Sequence, residues 1–358
     1  MRYSRDIRAL ISHSMRENAV LVAVVLLHLA VAVLLARHYH FHVALDWSVQ
    51  LPLFITCYLL LLVPAYFWML ARHRPARPIR FTTELLKRWR PHERLVVALP
   101  ALVALGVFIS AFGSLKSAIP RMEPYHLDPL FSHMDTAIHG EAPWRLLQPI
   151  LGHPLFSFIL NGAYELWMAV FYLALCAVAI WVDELELRRR FLTAFVLCWV
   201  LLGNLAATLL ASVGPCFYGA FYHADPYVGL MGYLHQANSV FPMVTLQVQD
   251  QLIAWARAGM PGLGRGISAM PSVHVATACL LMLLGWKIGP RWGVAGTVFL
   301  LVIMIGSIHL GFHYAVDGYA SLIATPAIWW LSKHVSALHR LRLPWSLQPA
   351  LAEGAVEA

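Results

Sequence analysis

Charge is what this chain has least of. Asp, Glu, Lys and Arg make up only 12% of its 358 residues, against 60% hydrophobic, and the mean hydropathy is +0.66. So few polar groups cannot cover a water-soluble protein of this size, which excludes a soluble globular domain and leaves an all-α polytopic membrane protein. Cysteine is also scarce. Cys57, Cys176, Cys198, Cys216 and Cys279 stand singly, four of them within apolar runs, so they form neither a disulfide framework nor a zinc ribbon and say little about compartment. Low-complexity tracts and a convincing internal repeat are missing. The first apolar run has no small-residue cleavage site and is expected to be a retained anchor rather than a signal peptide.

Apolar runs long enough to cross a bilayer are abundant. Eight are expected, near 18–36, 49–71, 95–115, 155–182, 191–213, 272–286, 292–311 and 315–332, the sixth being short. An even number places both termini on one side. The same side then receives 20 of the 26 Lys and Arg residues, and only Arg37, Lys116, Arg121, Arg145, Arg257 and Arg265 lie opposite. Basic residues stay in the cytoplasm, so the termini are expected inside, most simply at the plasma (inner) membrane. The net charge of +8 is accounted for by orientation and anionic-lipid contact, and no nucleic-acid partner is implied.

Three units follow from this map. Residues 1–94 hold two spans and a linker with three prolines and eight Lys or Arg (72–94), 95–332 form a six-helix core, and 333–358 are a cytoplasmic tail. Two long outer segments remain, 116–154 and 214–271. In the second, Val244, Val248, Leu252 and Trp255 recur at helical spacing against Gln247, Asp250 and Gln251. This is an amphipathic helix, either lying at the membrane surface over a site or packed as an ordinary loop helix.

Alternating direction brings "SVGPCFYG" (212–219), "AMPSVHVA" (269–276) and "HLGFHYAVDG" (309–318) to the same outer face. His313 and Asp317, four apart at a helix start, can touch. A carboxylate bonded to one ring nitrogen fixes the tautomer and leaves the other as a nucleophile or base. Ser272 and His274 follow Pro271, as suits a first helical turn, where backbone N–H groups favour an anion such as phosphate. His274 there can give a proton to a leaving oxygen and take one from an incoming hydroxyl. Bland readings stand beside these: interfacial histidines that are structural, and Pro-Ser as ordinary capping. His309, His313, Asp317 and His274 are also spaced to hold a divalent metal.

"GISAMPSVHVA" and "HLGFHYAVDGYAS" resemble the second and third signature motifs of the type 2 phosphatidic acid phosphatase superfamily. The branch most resembled includes fungal inositol phosphorylceramide synthase and related bacterial proteins, and "LKSAIPRMEPYHLDPLFSHMDTAIHGEAPW" and "SVGPCFYG" are similar to it as well. The likeness covers roughly 95–332. It implies a six-helix bundle and cofactor-free, metal-independent transfer through a phosphohistidine, with His313 as nucleophile, Asp317 as its orienting carboxylate and His274 as general acid and base. The partner implied is a membrane lipid with a phosphate head group, joined by a hydroxyl acceptor in a transferase; the oligomeric state is left open.

Departures from the superfamily's phosphatases sharpen this expectation. Their first motif, a lysine with an Arg-Pro pair, has no outer-facing counterpart here, and Ser307 stands where they place an arginine six residues before the third-motif histidine. A phosphomonoester is nearly a dianion and needs several cations, whereas a diester needs fewer. Head-group transfer between lipids is therefore favoured over a lipid phosphatase. Lys116, Arg121 and Arg265 are candidates to supply charge, or else interfacial anchors, and Ser272 and His309 are candidates to line the phosphate site. Glu165, in mid-span, is expected either to function there or to pair with Asn204. Asp128 and Asp135 either contact a head group or cap short helices. Remoter alternatives are a metal-dependent hydrolase and a transporter, though the matching repeats of a transporter are not found.

Overall fold

The computed structural model describes residues 2–260 and 264–340, so the expected tail beyond Arg340 lies outside the described residues. The main helices are α1 (Arg2–Tyr39), α2 (Trp47–His73), α3 (Pro78–Trp89), α4 (Pro91–Met122), α5 (Asp128–His139), α6 (Pro143–Leu151) and α7 (Pro154–Ala179). They continue with α8 (Leu185–Leu209), α9 (Val228–Val240), α10 (Val244–Ala258), α11 (Val273–Ile288), α12 (Pro290–His309) and α13 (Ala315–Ala337). No strand occurs among the described residues. The chain is an all-α polytopic membrane protein. Among the described residues, six helices (α1, α2, α4, α7, α8 and α12) are long and apolar enough to cross a bilayer. The apolar α11, 16 residues long, and α13, 23 residues long, complete the eight expected runs.

Proline starts several of these helices. It occupies the first turn of α3, α4, α5, α6, α7 and α12, where its missing N–H would have had no helical partner. Helix α1 begins well before its apolar run, because a helix continues through polar residues until something stops it. Within α8, Trp199–Ala206 widens into a π-helix. That widening turns Asn204 toward α1, where its Oδ1 meets His28 Nε2 at 2.9 Å.

The N-terminal pair packs on the core. Asn18 of α1 donates to the Val97 carbonyl of α4 at 2.9 Å, and Tyr172 of α7 donates to Gln50 of α2 at 3.1 Å. The basic linker contains α3, none of whose residues is buried. Arg188, counted from the sequence among cytoplasmic charges, is fully buried. It donates to the carbonyls of Ala179 and Val97 and to Asn18 Oδ1, while Arg189 pairs with Glu17. Arg190 stacks over Trp329, 4.1 Å from the ring centroid, and donates to its carbonyl. These three arginines join α8 to α1, α4, α7 and α13 at the end of the bundle away from the site.

Candidate active site

The stretches 212–219, 269–276 and 309–318 meet through backbone and carboxylate hydrogen bonds. The Ser272 N–H donates to the Asp317 carbonyl at 3.3 Å, and Ser321 Oγ donates to the Ser272 carbonyl at 2.9 Å, so the starts of α11 and α13 are tied together. Cys216 N–H donates to the Gly311 carbonyl at 2.7 Å, fixing the "SVGPC" turn to the loop that carries His313. Gly214 is required in that turn. Its φ is +95°, and a Cβ there would collide with the Phe312 carbonyl.

Two aspartates of α5, seven residues apart and therefore on one face, hold this assembly. Asp128, fully buried, accepts from the N–H groups of Val213 and Gly214 and from the hydroxyls of Tyr222 and Tyr314, all between 2.8 and 3.0 Å. Asp135 accepts from the N–H groups of Ala315 and Val316 at 2.8 and 3.0 Å. Burial pushes its carboxyl above the usual range, and the two N–H donors work against that shift. The expectation that these residues cap short helices is corrected: Asp135 caps the long final helix, and Asp128 pins the turns around it. The sequence offered no signal for this, since the partners are 85 to 186 positions away.

At the start of α13, His313 Nδ1 lies 3.2 Å from Asp317 Oδ2. The same oxygen accepts from the Tyr314 N–H at 3.0 Å, so Asp317 is also the third residue of a capping box. The carboxylate engages Nδ1 of His313, so Nε2 is the nitrogen not tied to Asp317. The ring of His274 sits 5.7 Å from that of His313, centroid to centroid, with 63° between planes. His274 is itself held in place. Tyr164 stacks on it at 4.9 Å, Trp167 lies at 4.1 Å, and the Trp167 indole N–H donates to its carbonyl.

Both histidines line one cavity of about 220 Å³, walled by α4, α7, α8, α10 and the loop before α11. Most of its wall is apolar and aromatic, including Phe112, Trp167, Phe171 and Trp199. Its polar groups are few: Lys116, Glu165, Ser268 and the Tyr164 hydroxyl. The Tyr164 and Ser268 hydroxyls are buried with no protein partner among the described residues. Reading the sequence missed both, though Ser268 stands within the quoted "GISAMPSVHVA". Val248 and Leu252 of α10 also face this cavity, so the amphipathic helix covers it. Its buried side, however, runs through Thr245, Leu246, Gln249 and Leu252, and Val244 is exposed.

The other candidates are placed as follows. Ser272 is the N-cap of α11, its Oγ accepting from Val275 N–H at 3.3 Å, so Pro271 precedes the cap instead of filling the first turn. His309 turns away from the cavity and shares a 2.8 Å hydrogen bond with Ser157. The four-ligand set of the metal-hydrolase alternative therefore does not assemble. Arg121 and Arg265 line a neighbouring cavity of about 250 Å³. There Arg121 donates to the carbonyls of His40 and Gly259, and Arg265 lies 5.1 Å from the centroid of Trp255. Glu165 does not pair with Asn204. Its Oε1 accepts from the Thr245 hydroxyl at 3.1 Å.

The sequence profile of the PAP2 superfamily matches residues 130–331, more than half of the chain and the whole stretch that builds the histidine pair. The chain belongs to the PAP2 superfamily. No curated protein and no solved structure matches it significantly. Superfamily membership supports an enzyme acting on lipid phosphates, as a phosphatase or a phosphotransferase. The match begins within α5, so it takes in Asp135 but not Asp128, Lys116 or Arg121.

Proposed function

We propose that this PAP2 protein is a lipid phosphotransferase, similar in chemistry to inositol phosphorylceramide synthase, and that it carries a head-group phosphate on His313. The observation that carries the reading is the pair of imidazoles facing one largely apolar cavity, with a carboxylate behind only one of them. His313 Nε2 attacks the phosphorus of a donor phosphodiester, and an N–P bond forms as the P–O bond to the lipid alcohol breaks. His274 gives its proton to that leaving oxygen. It then takes the proton of an acceptor hydroxyl, whose oxygen attacks phosphorus and releases His313 unchanged. Lys116, with the Tyr164 and Ser268 hydroxyls, stabilises the phosphoryl oxygens. A single Lys or Arg on the cavity wall among the described residues suits a diester better than a dianionic monoester.

The reaction needs no metal on this reading, because the oriented imidazole is already a nucleophile. The test is to incubate the purified protein, in excess chelator, with a phospholipid labelled in its head-group phosphorus, with and without a long-chain alcohol. The expected result is an acid-labile phospho-enzyme that is lost in His313→Ala, and a labelled product built on the alcohol. Turnover that persists in His313→Ala overturns the nucleophile assignment. Phosphate release from monoesters alone, with no alcohol product, selects the phosphatase reading.

A further inference from the structure

Lys116 and Glu165 line the same cavity as the two histidines, and both are half-buried. No ion pair joins them, and neither has an oppositely charged partner among the described residues. Glu165 has only the Thr245 hydroxyl, on one oxygen. Charges at such depth are costly to keep apart from counter-charges, and two opposite ones held separately ask for a ligand carrying both signs. The chemistry above uses Lys116 but leaves Glu165 without a task. Near a phosphate a carboxylate is in fact adverse, since like charges repel. A phosphomonoester would meet that repulsion at its strongest. A neutral polyol head group would satisfy Lys116 and leave Glu165 unmatched. An ammonium group on the head group answers Glu165 directly, and the aromatic side chains of Trp167 and Phe171 on the same wall favour a cation as well.

Resting on the transferase reading, we infer that Glu165, supported by Thr245, is the recognition site for a positively charged amine, and that the donor is a zwitterionic phosphodiester lipid. Its phosphate lies toward Lys116 and His313, and its ammonium toward Glu165. The full-length protein in mixed micelles is offered phosphatidylethanolamine or phosphatidylglycerol of identical acyl chains, and kcat/KM is measured for head-group loss. The wild-type protein should prefer the ammonium lipid by about tenfold or more, the scale of one charge-assisted hydrogen bond. Glu165→Gln should cost the ammonium lipid about that factor and change the glycerol lipid by less than about threefold. Glu165→Asp should keep the preference. Equal turnover of both lipids by the wild type, or an equal loss for both in Glu165→Gln, overturns the inference. The wild-type comparison decides alone if the variant fails to fold. Failure of the transferase reading looks different: neither lipid is turned over, or His313→Ala turns over both.

Discussion

Asp317 holds two positions at once, and a single substitution separates them. Its Oδ2 accepts from the Tyr314 N–H, a cap that stabilises the start of α13, and faces His313 Nδ1, a contact that sets the imidazole tautomer. Asparagine keeps an oxygen that can accept from Tyr314, so Asp317→Asn should lower the melting temperature only slightly. It loses the charge that favours Nδ1–H, and its amide can present N–H to the ring, reversing the tautomer. By analogy with the serine-protease triad, turnover should fall by roughly 10³–10⁴-fold, with KM little changed. Asp317→Ala should lose both functions and show a clear fall in stability by thermal unfolding. If Asp317→Asn keeps near-wild-type turnover, the carboxylate is a cap and nothing more. The pair was legible in the sequence because four-residue spacing across a helix start is a local relation, although His313 itself lies just before α13. The Tyr164 and Ser268 hydroxyls were not, because a lone hydroxyl has no pattern until the fold leaves it buried without a partner.

Helix α5 is the element that turns a loop into a site. Through Asp128 and Asp135 it fixes the backbone of the "SVGPC" turn and the first residues of α13 with hydrogen bonds to a carboxylate. Each such bond contributes about 1.5–3 kcal/mol when buried. Asp135→Asn replaces one acceptor oxygen with a donor that faces the Ala315 or Val316 N–H. This should destabilise by about 1–3 kcal/mol and tilt the start of α13. A shift of an ångström at the nucleophile costs about 10²-fold, so turnover should fall by roughly 10- to 100-fold even at temperatures where the protein is folded. Unchanged turnover in folded Asp135→Asn protein would show that His313 does not depend on this helix. Periodicity revealed the spans and α10, since both have long apolar patterns. It left α5, α6 and α9 unmarked, because short outer helices are set by tertiary contacts more than by their own sequence.

At the scale of the whole molecule, the charge asymmetry of the sequence and the placement of the site are separate observations that meet. The ends of α4, α8 and α12 and the starts of α11 and α13 gather at one end of the bundle, together with both long outer segments. The Arg188–Arg190 cluster lies at the opposite end. Those arginines are spent on internal bonds to Ala179, Val97, Asn18, Glu17 and Trp329, so they hold helices together besides marking a side. The orientation argument therefore leans on the exposed basic residues of α3 and the linker, where nothing is buried and the side chains are open to anionic lipid. On the proposed map, with eight spans and these residues inside, His313 would face outward and the proposed acceptor and donor lipids would belong to the outer leaflet. His235, exposed on α9, is the place to test this. A His235→Cys thiol should react with a membrane-impermeant maleimide in intact cells, beyond the background of the parent chain. Labelling that requires permeabilisation would reverse the map and move the histidine pair, its cavity and its lipids to the cytoplasmic leaflet.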